Sequence, residues 1–380
     1  MSGSVGSATQ SDQTLLGTLL ANSSAIRQKL DLLANQASNG LLGVTYAGLG
    51  TGAPISLNLR PQIGNLQTWQ NNVDSATGQM SVTQAAMTQV QSIAAHFYAQ
   101  LANVQGVAAS AVDNIAATAR DALSQVASLL DTQDGGVYVF AGQDTANPPV
   151  PDPNNIANVA AHPGGYYDQI STAVGNLGVA GAVATAQATY DIALSNAPGT
   201  SPFSTYMSQP SAVLQTQLPT VQVGQDATRH VGLLASANAL IPDTPPGAPP
   251  LPGGPPASTG AYMRDVMRAL ATIGSLNGAQ ASLPGFGELV QDTRTSLSGA
   301  VSAMACDAGV LGDTQSSIAT TKTQLSDTEA ALTGQVSSVE DVDMAKTLSA
   351  LTLVQTQMQA SYQVIASVSG LSLAKFLPAG

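Results

Sequence analysis

Charge is what this sequence has least of. Only 9% of its 380 residues are Asp, Glu, Lys or Arg, against ~25% in an average globular protein. Aromatic residues make up 4%, and Ala, Ser, Thr, Gln and Gly fill the gap. Eleven basic residues against 23 acidic ones leave a net charge of -12, and neither Lys nor Arg occurs between Asp121 and Thr228. Nucleic-acid binding needs clustered Lys and Arg to displace counterions, so that class is excluded. The single cysteine, Cys306, excludes an internal disulfide framework. Set among small helical residues, it is expected to be buried packing rather than a reactive thiol. With no run of 18 apolar residues, no membrane span is expected. A classical signal peptide is missing too: the first basic residue is Arg27, and the stretch from Leu15 to Leu20 is too short and polar for an h-region. That leaves the cytoplasm, or export by a route without a cleavable signal.

What the sequence does have is spacing. From Leu311 an apolar or long side chain recurs at 3,4 intervals through Gln315, Ile318, Lys322, Leu325, Glu329, Leu332, Val336 and Val339. After Glu340-Asp341-Val342-Asp343 the stripe resumes through Leu348, Leu351, Val354, Met358, Ser361, Ile365 and Val368. A period held over so many turns predicts a long helix that wants a partner helix. Leu16, Leu19, Ser23, Ile26, Leu30, Leu33 and Ala37 repeat it at the other end, as does the series from Leu66 through Trp69, Val73, Met80, Met87, Val90, Phe97 and Leu101 to Val104. The flanking positions are Gln, Ser, Thr and Ala, so partner choice is not written in interhelical ion pairs. No acid or base occurs between Leu348 and Leu373, which leaves a sticky end if uncovered. The fold class expected is mainly α, with long terminal helices forming a coiled-coil rod and a central α+β or β-rich insertion.

In chain order, Met1–Gln10 is Gly/Ser-rich and expected to be disordered. Ser11-Asp12 is placed to cap a first helix that Asn39-Gly40 ends. Residues 41–61, rich in Gly and broken by Pro54, are expected to be irregular. A second helix is predicted from Gln62 to Val107, with a kink or fray at Gly78, and a third from Ala111 to Asp131. The Gly135-Gly136 turn and Val137–Phe140 signal a switch to strand. Pro and Gly then rise to about Gly260, with another strand expected in Leu218–Val223 and a linker in Pro242–Gly260. Helix returns at Tyr262–Gly274 and again from Phe286.

No chemical constellation stands out. Gly48-Leu49-Gly50-Thr51-Gly52-Ala53 approaches a dinucleotide fingerprint, but Pro54 and an extended Ile55-Ser56-Leu57 are expected where a helix N-terminus should hold the phosphates. His96, His162 and His230 are far apart, and no pair has ligand spacing on one helix. Asp131, Asp134 and Asp144 lack the alternating acids and closing Glu of a calcium loop; turn and capping roles need less. Glu340, Asp341 and Asp343 read as a solvated break, or as the N-terminal charge of the last helix. No catalytic, cofactor-binding or metal residue is expected.

The ends do match a familiar pattern. Glu340-Asp341-Val342-Asp343-Met344-Ala345, then Gln355-Thr356-Gln357, Gln359-Ala360-Ser361-Tyr362-Gln363 and Leu371-Ser372-Leu373 to Phe376-Leu377, resemble the C-terminal signature of the bacterial flagellin superfamily. The likeness covers about the last 70 residues well and Leu15 to Asp131 more loosely. Asp134-Gly135-Gly136-Val137-Tyr138-Val139-Phe140-Ala141-Gly142 and Ser81–Met87 look more like the hook–filament junction branch than like filament flagellin. The Asp-Asp-Ala run usual after the first helix of flagellin is missing near Val44 to Ala53.

The resemblance implies a structural subunit of the flagellum rather than an enzyme, without cofactor. Its ends would coil in a tubular core while the middle projects outward. It implies residues 1–45 as an N-terminal core helix, 46–143 as helical rod, 144–260 as a variable outer domain, 261–340 as returning rod and 341–380 as a C-terminal core helix. The assembly seam would run through Leu16, Leu19, Ile26, Leu30 and Leu33, and through Leu348, Leu351, Val354, Met358, Ile365 and Val368. Partners would be flagellin, another hook-associated protein, further copies of the chain and an export chaperone; the location would be the extracellular flagellum, reached without signal cleavage. A secreted adhesin working through the Pro/Gly-rich middle is the reading from another class.

Overall fold

The two terminal stripes find each other. In the computed structural model helix α1 (Gly6–Asn39) packs along helix α9 (Met344–Ala374). The structure describes residues 6–104, 108–238 and 251–374. Residues 1–5, much of the proposed linker (239–250) and the final six lie outside the described residues. So do the side chains of 6–16 and 368–374. The chain divides into two compact units, residues 1–67 with 326–380, and residues 68–325.

Helix α1 already runs from Gly6, so Ser11-Asp12 lies inside it rather than capping it. Its end at Asn39, with Gly40 at φ +74°, is as the sequence predicts. A 3-10 segment (Tyr46–Gly52) then leads into α2 (Ala53–Leu101). The expectation of irregular chain as far as Pro61 is therefore corrected. Pro54 sits in the first turn, where backbone N–H groups lack helical partners anyway. Pro61 lies inside the helix, where a proline costs about 3 kcal/mol. The helix continues because its next turns are held: Leu66 is buried, and Gln67 Nε2 donates to Glu329 Oε1 at 2.6 Å on α8 (Phe286–Glu340). It also passes unbroken through Gly78 and ends at Leu101, short of the expected Val107.

The second unit holds the main hydrophobic core. Helix α3 (Ala109–Leu130) buries Val112, Ala116, Ala119, Leu123, Val126 and Leu130, which recur at 3,4 intervals along one face. Gly135 and Gly136, at φ +59° and +86°, turn β1 (Gln133–Asp134) antiparallel onto β2 (Val137–Tyr138). The middle is more helical than its Pro and Gly content suggests. It contains α4 (Tyr166–Gly175), α5 (Leu177–Leu194) and α6 (Ser211–Thr216), plus one hairpin of β3 (Thr220–Gln222) with β4 (Thr228–His230). These helices escape the periodicity test because α4 and α6 are short, and because α5 is Ala-rich, apolar on several sides and broken at Gly181 (φ +78°).

Helix α7 (Tyr262–Gly274) is buried along its whole length against α3, α4 and α5. It carries much of the scarce charge inward. Arg264 donates to the Ser236 and Ala193 carbonyls, each at 2.9 Å, and to Asn196 Oδ1 at 2.7 Å, with its guanidinium over Phe203. Asp265 accepts from Ser258 and Thr259. Arg268 pairs with Asp292 on α8 at 2.8 Å, both side chains almost fully buried. Such pairs offset most of the desolvation they suffer only while both partners remain.

Candidate assembly face

The first unit is built almost without a core of its own. Among its described residues the buried apolar side chains are Leu66, Val336 and Val354. Its helices pair through half-covered stripes instead. On α1 the side chains of Leu19, Ile26, Leu30 and Leu33 are half-buried and Ser23 is buried; on α9 Val354 is buried, with Leu351, Met358, Ser361 and Ile365 half-buried. Serines at these positions let two backbones approach where leucines would hold them apart. Arg27 Nη2 donates to the Tyr362 hydroxyl at 2.9 Å, joining α1 to α9 directly.

One position differs from the stripe read in the sequence. Leu348 is 50% exposed while Thr347 takes the inward place at 7%, because α9 starts afresh at Met344 and its phase is set there. Leu16 and Val368 lie on α1 and α9, but their side chains are outside the described residues.

Apolar groups also lie on the outward side of the same helices. Leu20 and Leu32 of α1, and Leu348, Leu353, Tyr362 and Val364 of α9, are exposed. Val44, Tyr46, Ile55 and Leu57 around the start of α2 join them. A helix that is apolar on two sides but covered on one has a face left for something else.

Where α1 and α8 stop, the chain is stitched by polar contacts. The Leu42 N–H donates to the Glu340 carbonyl at 2.7 Å and the Val342 N–H to the Gly40 carbonyl at 2.9 Å, so Leu41 and Asp341 form an isolated antiparallel bridge. The Glu340 carboxylate accepts from Arg60 Nε at 2.8 Å, from Arg60 Nη2 and from Ser56 Oγ. The Arg60 hydrogen bonds hold the Glu340 carboxyl below its usual range. Asp343 Oδ1 accepts from the Lys346 N–H at 3.1 Å and so caps α9. The acidic cluster is thus a stitched break with a cap.

The remaining candidates have structural partners. Gly48–Gly52 is followed by a helix after all, yet no strand precedes it. Gly52 is needed for another reason: a Cβ there would lie 2.9 Å from Val339 Cβ. His96 stands edge-on to Phe97 and meets Gln100 at 3.0 Å. His162 meets Asp152 at 2.9 Å, beside a small pocket that also includes Tyr166 and Phe203. His230 lies on β4. Asp131 accepts from the Val150 N–H at 2.8 Å, and burial pushes its carboxyl up to about 6. Cys306 is exposed, correcting the expectation of a packed thiol; its position on α8 faces solvent. Among the described residues no group of His, Cys, Asp and Glu is placed to hold a metal, and no helix is long and apolar enough to cross a membrane.

Two comparisons bear on this face. Residues 295–377, which contain most of α8 and all of α9, match the family model of the bacterial flagellin C-terminal helical region. A search of curated proteins returned no match. The match covers about a fifth of the chain and lies at its α8–α9 end.

Proposed function

We propose that this chain joins the flagellar hook to the filament, with α1 and α9 as its assembly elements. The observation that carries the reading is the outward apolar face of these two helices, lying in the unit with the least core and overlapping the matched region. Neighbouring subunits would cover Leu20, Leu32, Leu353 and Val364, and the seam of Leu19, Ile26, Leu30, Leu33, Leu351, Val354, Met358 and Ile365 would tighten in the same step. Association would then complete what the isolated helices leave marginal. Flagellin-like subunits, hook-associated subunits and further copies of this chain are the partners this implies, and an export chaperone would suit so exposed a pair of ends. The hairpin of β1 and β2, with its Asp134-Gly135-Gly136-Val137-Tyr138 sequence, is what favours the junction branch.

Filament flagellin is the second reading, supported by the same match. Salting-out of the purified chain, followed by light scattering and electron microscopy, separates the two. The junction reading expects a monomer that adds only to preformed hook or filament tips. Long filaments from the chain alone would replace it with flagellin. A rigid monomer that adds to neither would overturn both.

A further inference from the structure

We infer that Glu340 is a latch: it holds the break after α1 and the break before α9 in one register, and its release frees the α1–α9 pair to turn against the start of α2 and the end of α8. The first observation is alignment. Two interruptions about 300 residues apart in sequence lie side by side, joined by the Leu42–Glu340 and Val342–Gly40 hydrogen bonds.

The second is what the place is made of. From residue 38 to 65 and from 337 to 353 the buried residues are Gly52, Ser56, Glu340 and Thr347, with no large apolar side chain among them. Apolar burial is non-directional and proportional to area, so with little of it here the register is left to directional polar contacts. Glu340 supplies most of them, through its carbonyl to Leu42 and its carboxylate to Arg60 and Ser56. The third is the backbone on either side. Gly40 at φ +74° and Gly50 at φ +54° sit in the left-handed region that glycine enters without a Cβ penalty. Such positions absorb the dihedral change of a hinge.

The latch differs from an ordinary stabilising ion pair in what its loss does. Arg60 is half exposed, so screening leaves the pair little to contribute to global stability. Its geometric contribution is larger, because what else meets at the break is only the Val342–Gly40 backbone bond and the close approach of Gly52 to Val339. The inference concerns the chain's own breaks and stands apart from the flagellar reading.

The test uses the full chain with Cys306→Ser, spin labels at exposed Ala25 and Asn58, and hydrogen exchange of the peptides holding Leu42, Val342 and Val354. Glu340→Ala should broaden the Ala25–Asn58 distance distribution. It should also speed exchange at Leu42 and Val342 at least tenfold while leaving the Val354 peptide protected. The swapped pair Arg60→Glu with Glu340→Arg should narrow the distribution again. Three results would overturn the latch: no change in distance and exchange, equal loss of protection at Val354, or no protection at Leu42 and Val342 in the unaltered chain.

Discussion

Arg27 and Tyr362 are 335 residues apart in sequence and 2.9 Å apart in space. Their hydrogen bond fixes the level at which α1 meets α9, in a seam otherwise made of half-buried aliphatics and small polar groups. An exposed contact of this kind adds about 1 kcal/mol at most, so the apolar stripe beneath it decides whether the pair forms.

That stripe is the natural place to break assembly without breaking the rest of the molecule. Ile365→Asp or Leu351→Asp places a charge among the aliphatic positions of the seam, and should abolish addition to hook or filament tips. The unfolding transition of residues 68–325, followed by circular dichroism in denaturant, should shift by no more than about 0.5 kcal/mol, as expected for distant sites. Normal incorporation of the Ile365→Asp chain would sink the assigned seam.

The buried Arg268–Asp292 pair should behave very differently from the exposed ones. Arg268→Met alone leaves a buried carboxylate and should destabilise the second unit by about 3–5 kcal/mol, whereas Arg268→Met with Asp292→Leu should recover most of that. A denaturant-based double-mutant cycle reads both numbers. Equal losses in the single and double variants would mean that packing around the pair, rather than its charge, holds α7 in place.

Asp131 and Asp307 set a pH dependence of opposite sense to the usual acidic one. Burial raises each carboxyl to about 6 in the folded chain, from ~3.9 when unfolded. Between those values the folded state holds the extra protons, so the contribution is present below pH ~4 and is lost as pH rises through about 6. Glu340, with its carboxyl lowered, works the other way and loses its contribution as pH falls through its folded value. Stability curves of the second unit between pH 4 and 6.5 should therefore flatten in Asp131→Asn. A slope unchanged in that variant would remove Asp131 from the account.

Gly52 is where a single methyl group should matter. Its missing Cβ leaves room for Val339, so Gly52→Ala should cost about 1–3 kcal/mol, as overpacking does. Gly299, which has open space around it, is the control, and Gly299→Ala should be neutral or slightly stabilising in a helix. Thermal unfolding of the two variants checks the difference.

Periodicity carried the long elements because only a helix repeats every 3.6 residues. The α1–α9 pairing, the break at Glu340–Asp343 and the limits of Tyr262–Gly274 were all legible in the sequence. Pro54 misled because a proline reads as a breaker unless it is known to sit in a first turn. Leu348 and Thr347 lie one residue apart at the start of a helix, where spacing alone cannot set the phase. Nothing local marks Arg268 as buried, since its partner lies 24 residues away on another helix. The exposure of Cys306 was equally hidden, being a matter of which side of α8 is covered.

The first unit is made from two ends of the chain with 258 residues between them. Closing so long a loop from a disordered chain is slow, because the entropy of bringing its ends together must be lost before any contact forms. The second unit removes that delay. Its own terminal turns are tied by Lys322 and Asp74 at 2.5 Å, so once it has folded, residues 67 and 326 no longer have to search for each other. Folding should then run from the middle outward, with the pairing of α1 and α9 as its last event. Under the proposed assembly role, the slowest part to fold is also the part left available longest.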